Sequence, residues 1–122
     1  MRLLVIARGG ALGALARYFL TGWVQALTTS LFPLGTLVVN ASGCFAFGVL
    51  GTLLMGAASI PEHYRSFLLI GFLGAFTTFS TFAWNTLALF DDGRVDLAVA
   101  NVVSSNLLCL LGVWLGHRLV ST

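Results

Sequence analysis

The chain of 122 residues contains no lysine, and charged side chains of every kind amount to only 8% of it. A soluble domain carries roughly a quarter charged residues. Lacking that polar surface, and with 58% hydrophobic residues, the sequence reads as a membrane protein. Its net charge of +2 rests on six scattered arginines. These are too few and too dispersed for a nucleic-acid surface or a polybasic lipid-binding patch. The expected surroundings are a lipid bilayer, with no nucleic-acid partner.

Cysteine and histidine are equally sparse. Cys44 and Cys109 lie within apolar runs and read as free thiols, not as a secreted disulfide framework. Neither His63 nor His117 has a partner at metal-ligand spacing, so no metalloenzyme site is expected. A nucleophile, a base and an orienting group cannot be assembled either, which argues against an enzyme. The four acids, Glu62, Asp91, Asp92 and Asp96, are confined to two short windows. A proton-coupled exporter of the small multidrug-resistance type needs a carboxylate inside the membrane, and is disfavoured.

Proline occurs only twice, at Pro33 and Pro61, and both mark breaks between long apolar runs. A bilayer core requires about 20 mostly apolar residues per helix. Residues 3–27, 33–57, 65–90 and 95–119 meet that length, and the expectation is a single all-α transmembrane domain over 1–122. The N-terminal run resembles a secretory signal, but Arg8 interrupts it and Arg17 follows the small-residue "ALA". It reads as a retained span. The connections "TTSLFP", "SIPEHYR" and "DDGRVD" are short, which makes consecutive helices antiparallel. Arg2, Arg8, Arg65 and Arg118 share one side, so the charge bias leans towards cytoplasmic termini.

What is present is glycine at packing intervals and polar residues at membrane depth. Gly9 and Gly13, and Gly112 and Gly116, form GxxxG pairs that let backbones approach closely. These identify no function, and a non-transporting assembly protein would carry them too. Arg17 lies well inside the first span, where it either snorkels and pairs with carbonyls or attracts an anion. Asn40 follows Thr36 by one helical turn. Its amide must be satisfied, by clasping a neighbouring helix or by lining a hydrated path. Asn101, Ser105 and Cys109 form a polar stripe on the fourth span, widened by Ser104 and Asn106.

The stretch "GFLGAFTTFSTFAW" (71–84) is the least like a simple anchor. Phe79 and Phe82 are three apart and share a helix face; Thr77 and Thr81 are four apart on a neighbouring one. Gly71 and Gly74 lower helix propensity just before them. A break near 74–78 is expected, and broken backbone at membrane depth needs protein or a watery cavity around it. Freed carbonyls can hold a small cation, and ring edges, which are electropositive, suit an anion. Ordinary lipid-facing phenylalanine remains the alternative.

"GGALGALARY" (9–18), "PLGTLVVNASGCFAFG" (33–48) and "GFLGAFTTFSTF" (71–82) resemble the Fluc, or CrcB, family of fluoride ion channels. The resemblance covers three spans in order and is consistent with the fourth. It implies an antiparallel homodimer of four-helix subunits with two pores, passing fluoride passively out of a bacterial cytoplasm across the inner membrane and so protecting the cell from fluoride toxicity. By that resemblance Asn40 faces the pore and Phe79 and Phe82, from opposite subunits, offer ring edges to the ion. A central structural sodium is held by the carbonyls of Gly74 and Thr77. The hydroxyl track takes in Thr81, Ser105 and Cys109, with Thr36 near Asn40, and Arg17 occupies the family's arginine position. Similar proteins often carry an acid where this chain has Asn85, an aromatic hydroxyl near Asn101 and a serine near Cys109.

Overall fold

Pro33 and Pro61 each stand immediately before a helix, where the missing amide costs no intrahelical bond. In the computed structural model, which describes residues 1–121, they separate the first three of four membrane-length elements. These are α1 (Arg2–Gln25), α2 (Leu34–Gly56), a third passage over Glu62–Asp91, and α6 (Val95–Val120). The described residues contain no strand. Gly93 makes the turn into α6 at φ +75°, a conformation in which glycine lacks the steric penalty of a Cβ. The observed ends differ from the expected spans by up to three residues, the largest difference being the start of the third passage at Glu62.

The third passage is itself composite. A first turn, α3 (Glu62–Arg65), widens into a π-helical stretch over Ser66–Leu73 and tightens again in α4 (Gly74–Phe76). The chain then becomes extended at Thr77 (ψ 151°) and Thr78 (φ −148°, ψ 111°) before α5 (Phe79–Asp91) begins. The expected interruption therefore falls at the C-terminal end of its window. It also corrects one expectation: Thr77 and Thr81 do not share a helix face, because the four-residue spacing rule does not cross a break.

Consecutive spans alternate in direction, but the tightest packing is between alternate ones, which run parallel. Gly9 of α1 approaches Phe67 and Phe72, and Gly13 approaches Phe72. A Cβ on Gly13 would fall on the Phe72 carbonyl, so only glycine permits this approach. On the other pair, Gly112 of α6 faces Ala41 and Phe45 of α2, and Gly116 faces Phe45 and Val49. Both GxxxG pairs thus seat helix against helix, as small residues do in lipid.

The interior enclosed this way is small, built on Leu54, Leu69 and Leu73 with Leu50, Ile60 and Phe72 against them. Most large apolar side chains point outward, among them Leu12, Leu15, Phe19 and Trp23 on α1 and Leu107, Leu110 and Trp114 on α6. An apolar surface of that extent suits lipid and not water. The protein is a multi-pass membrane protein.

Candidate functional site

The break at Thr77–Thr78 exists because local side-chain bonds replace the helical ladder. Thr78 is the N-cap of α5: its Oγ1 accepts from the Thr81 amide at 3.2 Å and donates to Thr81 Oγ1 at 3.1 Å. Ser80 Oγ lies 3.2 Å from the same hydroxyl. Threonine favours such a cap because its oxygen satisfies an amide the helix start leaves free. The Thr78 amide would otherwise close a turn on the Gly74 carbonyl. It donates instead to Asn40 Oδ1 at 2.8 Å, and Asn40 Nδ2 donates to the Thr78 carbonyl at 3.1 Å.

One side chain from α2 thus acts as a peptide group for the interrupted strand of backbone. Asn40 is 8% exposed, and an unpaired amide there would cost several kcal/mol on desolvation scales, roughly 2–7. The clasp expected from the sequence is made, and one Nδ2 hydrogen is left over.

That spare donor borders a cavity of about 250 Å³ lined by Asn40, Cys44, Thr77, Thr78, Phe79 and Phe82 from one side and by Ser105, Asn106, Cys109 and Leu110 of α6 from the other. The Phe79 and Phe82 ring centroids are 5.3 Å apart, with planes inclined by 52°. Phe82 is 9% exposed and Phe79 77%. One ring is packed into the subunit and the other stands on its outer surface beside the cavity.

Behind the cavity runs a buried polar relay. Ser105 Oγ donates to Asn101 Oδ1 at 3.2 Å, Asn101 Nδ2 donates to Thr86 Oγ1 at 2.9 Å, and Thr86 Oγ1 donates to the Phe82 carbonyl at 2.8 Å. Asn101 is 1% exposed. It ties α6 to α5 at the turn that carries Phe82.

Not every residue singled out from the sequence reaches this cavity. Thr36 and Thr81 line a second recess of about 370 Å³ together with Arg17, Tyr18, Thr21 and Thr78. Within the described residues, Arg17 Nε is buried there with no hydrogen-bond partner. Asn85 Nδ2 donates to Thr36 Oγ1 at 3.1 Å, so Asn85 braces the wall of this recess. Gly74 lines neither space and is exposed on the surface at the break. Thr78 separates the two recesses and belongs to both.

Thr78, Thr86 and Cys44 were not singled out from the sequence as site residues. A threonine at the head of "TFST" after a glycine-weakened run is an N-cap signal that points to Thr78. The roles of Thr86 and Cys44 depend on which helix faces them, and carry no local signal.

Residues 4–117 match the family described as CrcB-like protein, Camphor Resistance (CrcB). A protein of Geobacter metallireducens named fluoride-specific ion channel FluC is 47% identical over 116 residues, covering 95% of this chain and 94% of its own length. Proteins of the same name from Rhodospirillum rubrum and Solibacter usitatus are 45% and 44% identical over 119 residues each. The alignments span 96% and 98% of this chain, and 92% and 98% of the two relatives.

Proposed function

The chain belongs to the CrcB family, and from that premise we propose that it is a fluoride channel that lets the ion leave a bacterial cytoplasm passively, through two pores at the interface of an antiparallel homodimer in the inner membrane. It is a channel-family protein and not an enzyme. The observation that carries the reading is the Asn40–Thr78 bridge, which holds a broken helix open beside a cavity walled by polar side chains and two phenylalanines.

Fluoride is small and strongly hydrated, so a pore must replace its water shell with nearby donors. The second Asn40 hydrogen and the edges of Phe79 and Phe82 are the available ones, and the Ser105 and Thr78 hydroxyls join them only by releasing Asn101 and Thr81. None carries a formal charge, and conduction needs binding weak enough to release. Aromatic edges meet that need, being positive without being ionic. The exposed Phe79 ring is half of a wall, which a second subunit completes.

Arg17 and its orphaned Nε, in the recess with Thr21, Thr36 and Thr81, suit an anion approaching the cap from the other side. The donor set at the break also fits the structural sodium. The Gly74 carbonyl has lost the Thr78 amide to Asn40, and the Thr77 carbonyl has lost the Thr81 amide to the Thr78 hydroxyl. Neutral oxygen donors of this kind suit a hard cation, and a pair from each subunit would hold it between two copies. A bound sodium would supply positive charge to these carbonyls and so favour the paired arrangement of the two breaks.

The proton-coupled exporter has no support in this arrangement. Glu62 opens the third passage, Asp91 closes it, and Asp92 and Asp96 flank the last turn. The deciding experiment is fluoride efflux from liposomes containing the purified protein. Efflux much faster than that of chloride is expected; equal rates for both ions, or none for fluoride, overturn the proposal.

A further inference from the structure

Cys44 and Cys109 are the only cysteines in the chain, and the fold brings them together. They occupy matching positions one helical turn beyond Asn40 on α2 and beyond Ser105 on α6. Because these two helices run parallel, a four-residue step on each moves both cysteines the same way along the pair, and Cys44 comes level with Gly112, within one turn of Cys109. Both residues line the 250 Å³ cavity, and the helices that carry them pack closely beside it, a Cβ built on Gly112 of α6 lying 3.8 Å from Cys44 Cβ. Neither is in a disulfide, and both are only partly buried.

We propose that Cys44 and Cys109 form a two-thiol site for a soft, linearly coordinating divalent cation of the mercury(II) class, and that occupying it closes the cavity. Thiolates select soft metals. Zinc, which takes four ligands in structural sites, is not served: no third His, Cys, Asp or Glu joins the pair among the described residues. Charge sharpens the choice further. Each thiol releases one proton and forms one metal–sulfur bond, so a divalent ion yields a neutral bis-thiolate. A monovalent soft ion would leave a net negative charge among Phe79, Phe82 and Leu110, where an uncompensated charge is costly.

The bridge joins α2 to α6 across the cavity, one helical turn from Asn40 and from Ser105. The binding claim stands by itself; the claim of closure rests on the proposed fluoride pathway. The probe is mercury(II) chloride, added at one equivalent to the intact purified protein.

Intact mass is expected to rise by one mercury less two protons per chain, with both free thiols lost. The adduct should survive a monothiol wash that strips Cys44→Ser and Cys109→Ser, because the second thiol acts at high effective concentration and strengthens retention by about 100-fold or more. Two mercury atoms per chain, a mercury-bridged pair of chains, or equal retention in the single variants would each overturn the site. For closure, fluoride efflux is compared with each variant's own untreated rate. Mercury should remove most of the wild-type flux, a dithiol should restore it, and the double serine variant should lose none. Wild-type flux untouched by bound mercury defeats closure, whereas absence of flux before any treatment defeats the fluoride reading and leaves the site standing on its mass data.

Discussion

Asn40 and Thr78 lie 38 residues apart and exchange two hydrogen bonds, amide to carbonyl in one direction and amide to side-chain oxygen in the other. The pairing substitutes for one rung of a helix. It holds the third passage open at the depth where the cavity forms.

Removing that rung should be costly. Asn40→Ala leaves a buried donor and acceptor unpaired, and each such group costs about 1–3 kcal/mol. The melting temperature in detergent should drop by several degrees. Asn40→Asp keeps the acceptor for the Thr78 amide but loses the donor and adds a negative charge. Fluoride efflux should fall at least about tenfold, which a 1.4 kcal/mol rise in the barrier already produces.

The two phenylalanines should separate in stability while agreeing in flux. Phe82→Ile empties packed volume, with a cost of roughly 1–3 kcal/mol expected for a partial truncation in a core. Phe79→Ile changes a ring that is 77% exposed in the single chain, and subunit stability should move by no more than about 0.5 kcal/mol. Both should cut fluoride efflux severely. A variant that conducts at the wild-type rate would remove its ring from the proposed path.

Thr78→Val removes the cap of α5 and the hydroxyl shared with Thr81, for a cost of about 1–2 kcal/mol. Thr78→Ser should recover most of it, since the oxygen is what the cap requires. Thermal unfolding of the two variants side by side makes the comparison.

Among the glycines, position decides the outcome. Gly13→Ala and Gly116→Ala place a methyl group on the carbonyls of Phe72 and Phe45, and neither helix pair can close without shifting. Gly22→Ala meets nothing within 4 Å and should be neutral or slightly stabilising, since alanine is favoured over glycine in a helix by about 1 kcal/mol. The fraction of monodisperse protein on size exclusion should fall for the first two and hold for the third.

If sodium bridges the two breaks, exchanging it for a bulky organic cation should lower the melting temperature. At a concentration 100 times its dissociation constant, a bound ligand stabilises by about 2.7 kcal/mol. Sodium added back should restore the loss in a concentration-dependent way. An unchanged melting temperature across that exchange counts against the ion.

The membrane setting, the four spans and the break were all legible in the sequence because each depends on local composition. A long apolar run, a proline at a boundary, and two glycines before a threonine cluster each leave their mark within a few turns of chain, although the break is also held by Asn40 from another helix. Packing glycines were visible for the same reason, although not which helices they would join. That α1 seats on the third passage and α2 on α6 follows from backbone approach between parallel spans, which spacing along one helix does not encode.

The site divided along the same line. Asn40, Phe79, Phe82, Ser105 and Cys109 meet at one cavity, whereas Thr36, Thr81 and Arg17 meet at another, behind Thr78. Helical periodicity placed Thr77 beside Thr81, and the break separated them. Sequence alone determined that polar groups would stand at membrane depth, since Asn40, Asn101 and the threonine cluster lie inside apolar runs long enough to span the bilayer. Only the tertiary structure decided which of them bond to one another and which are left to face an ion, because a hydrogen bond across helices depends on register and distance.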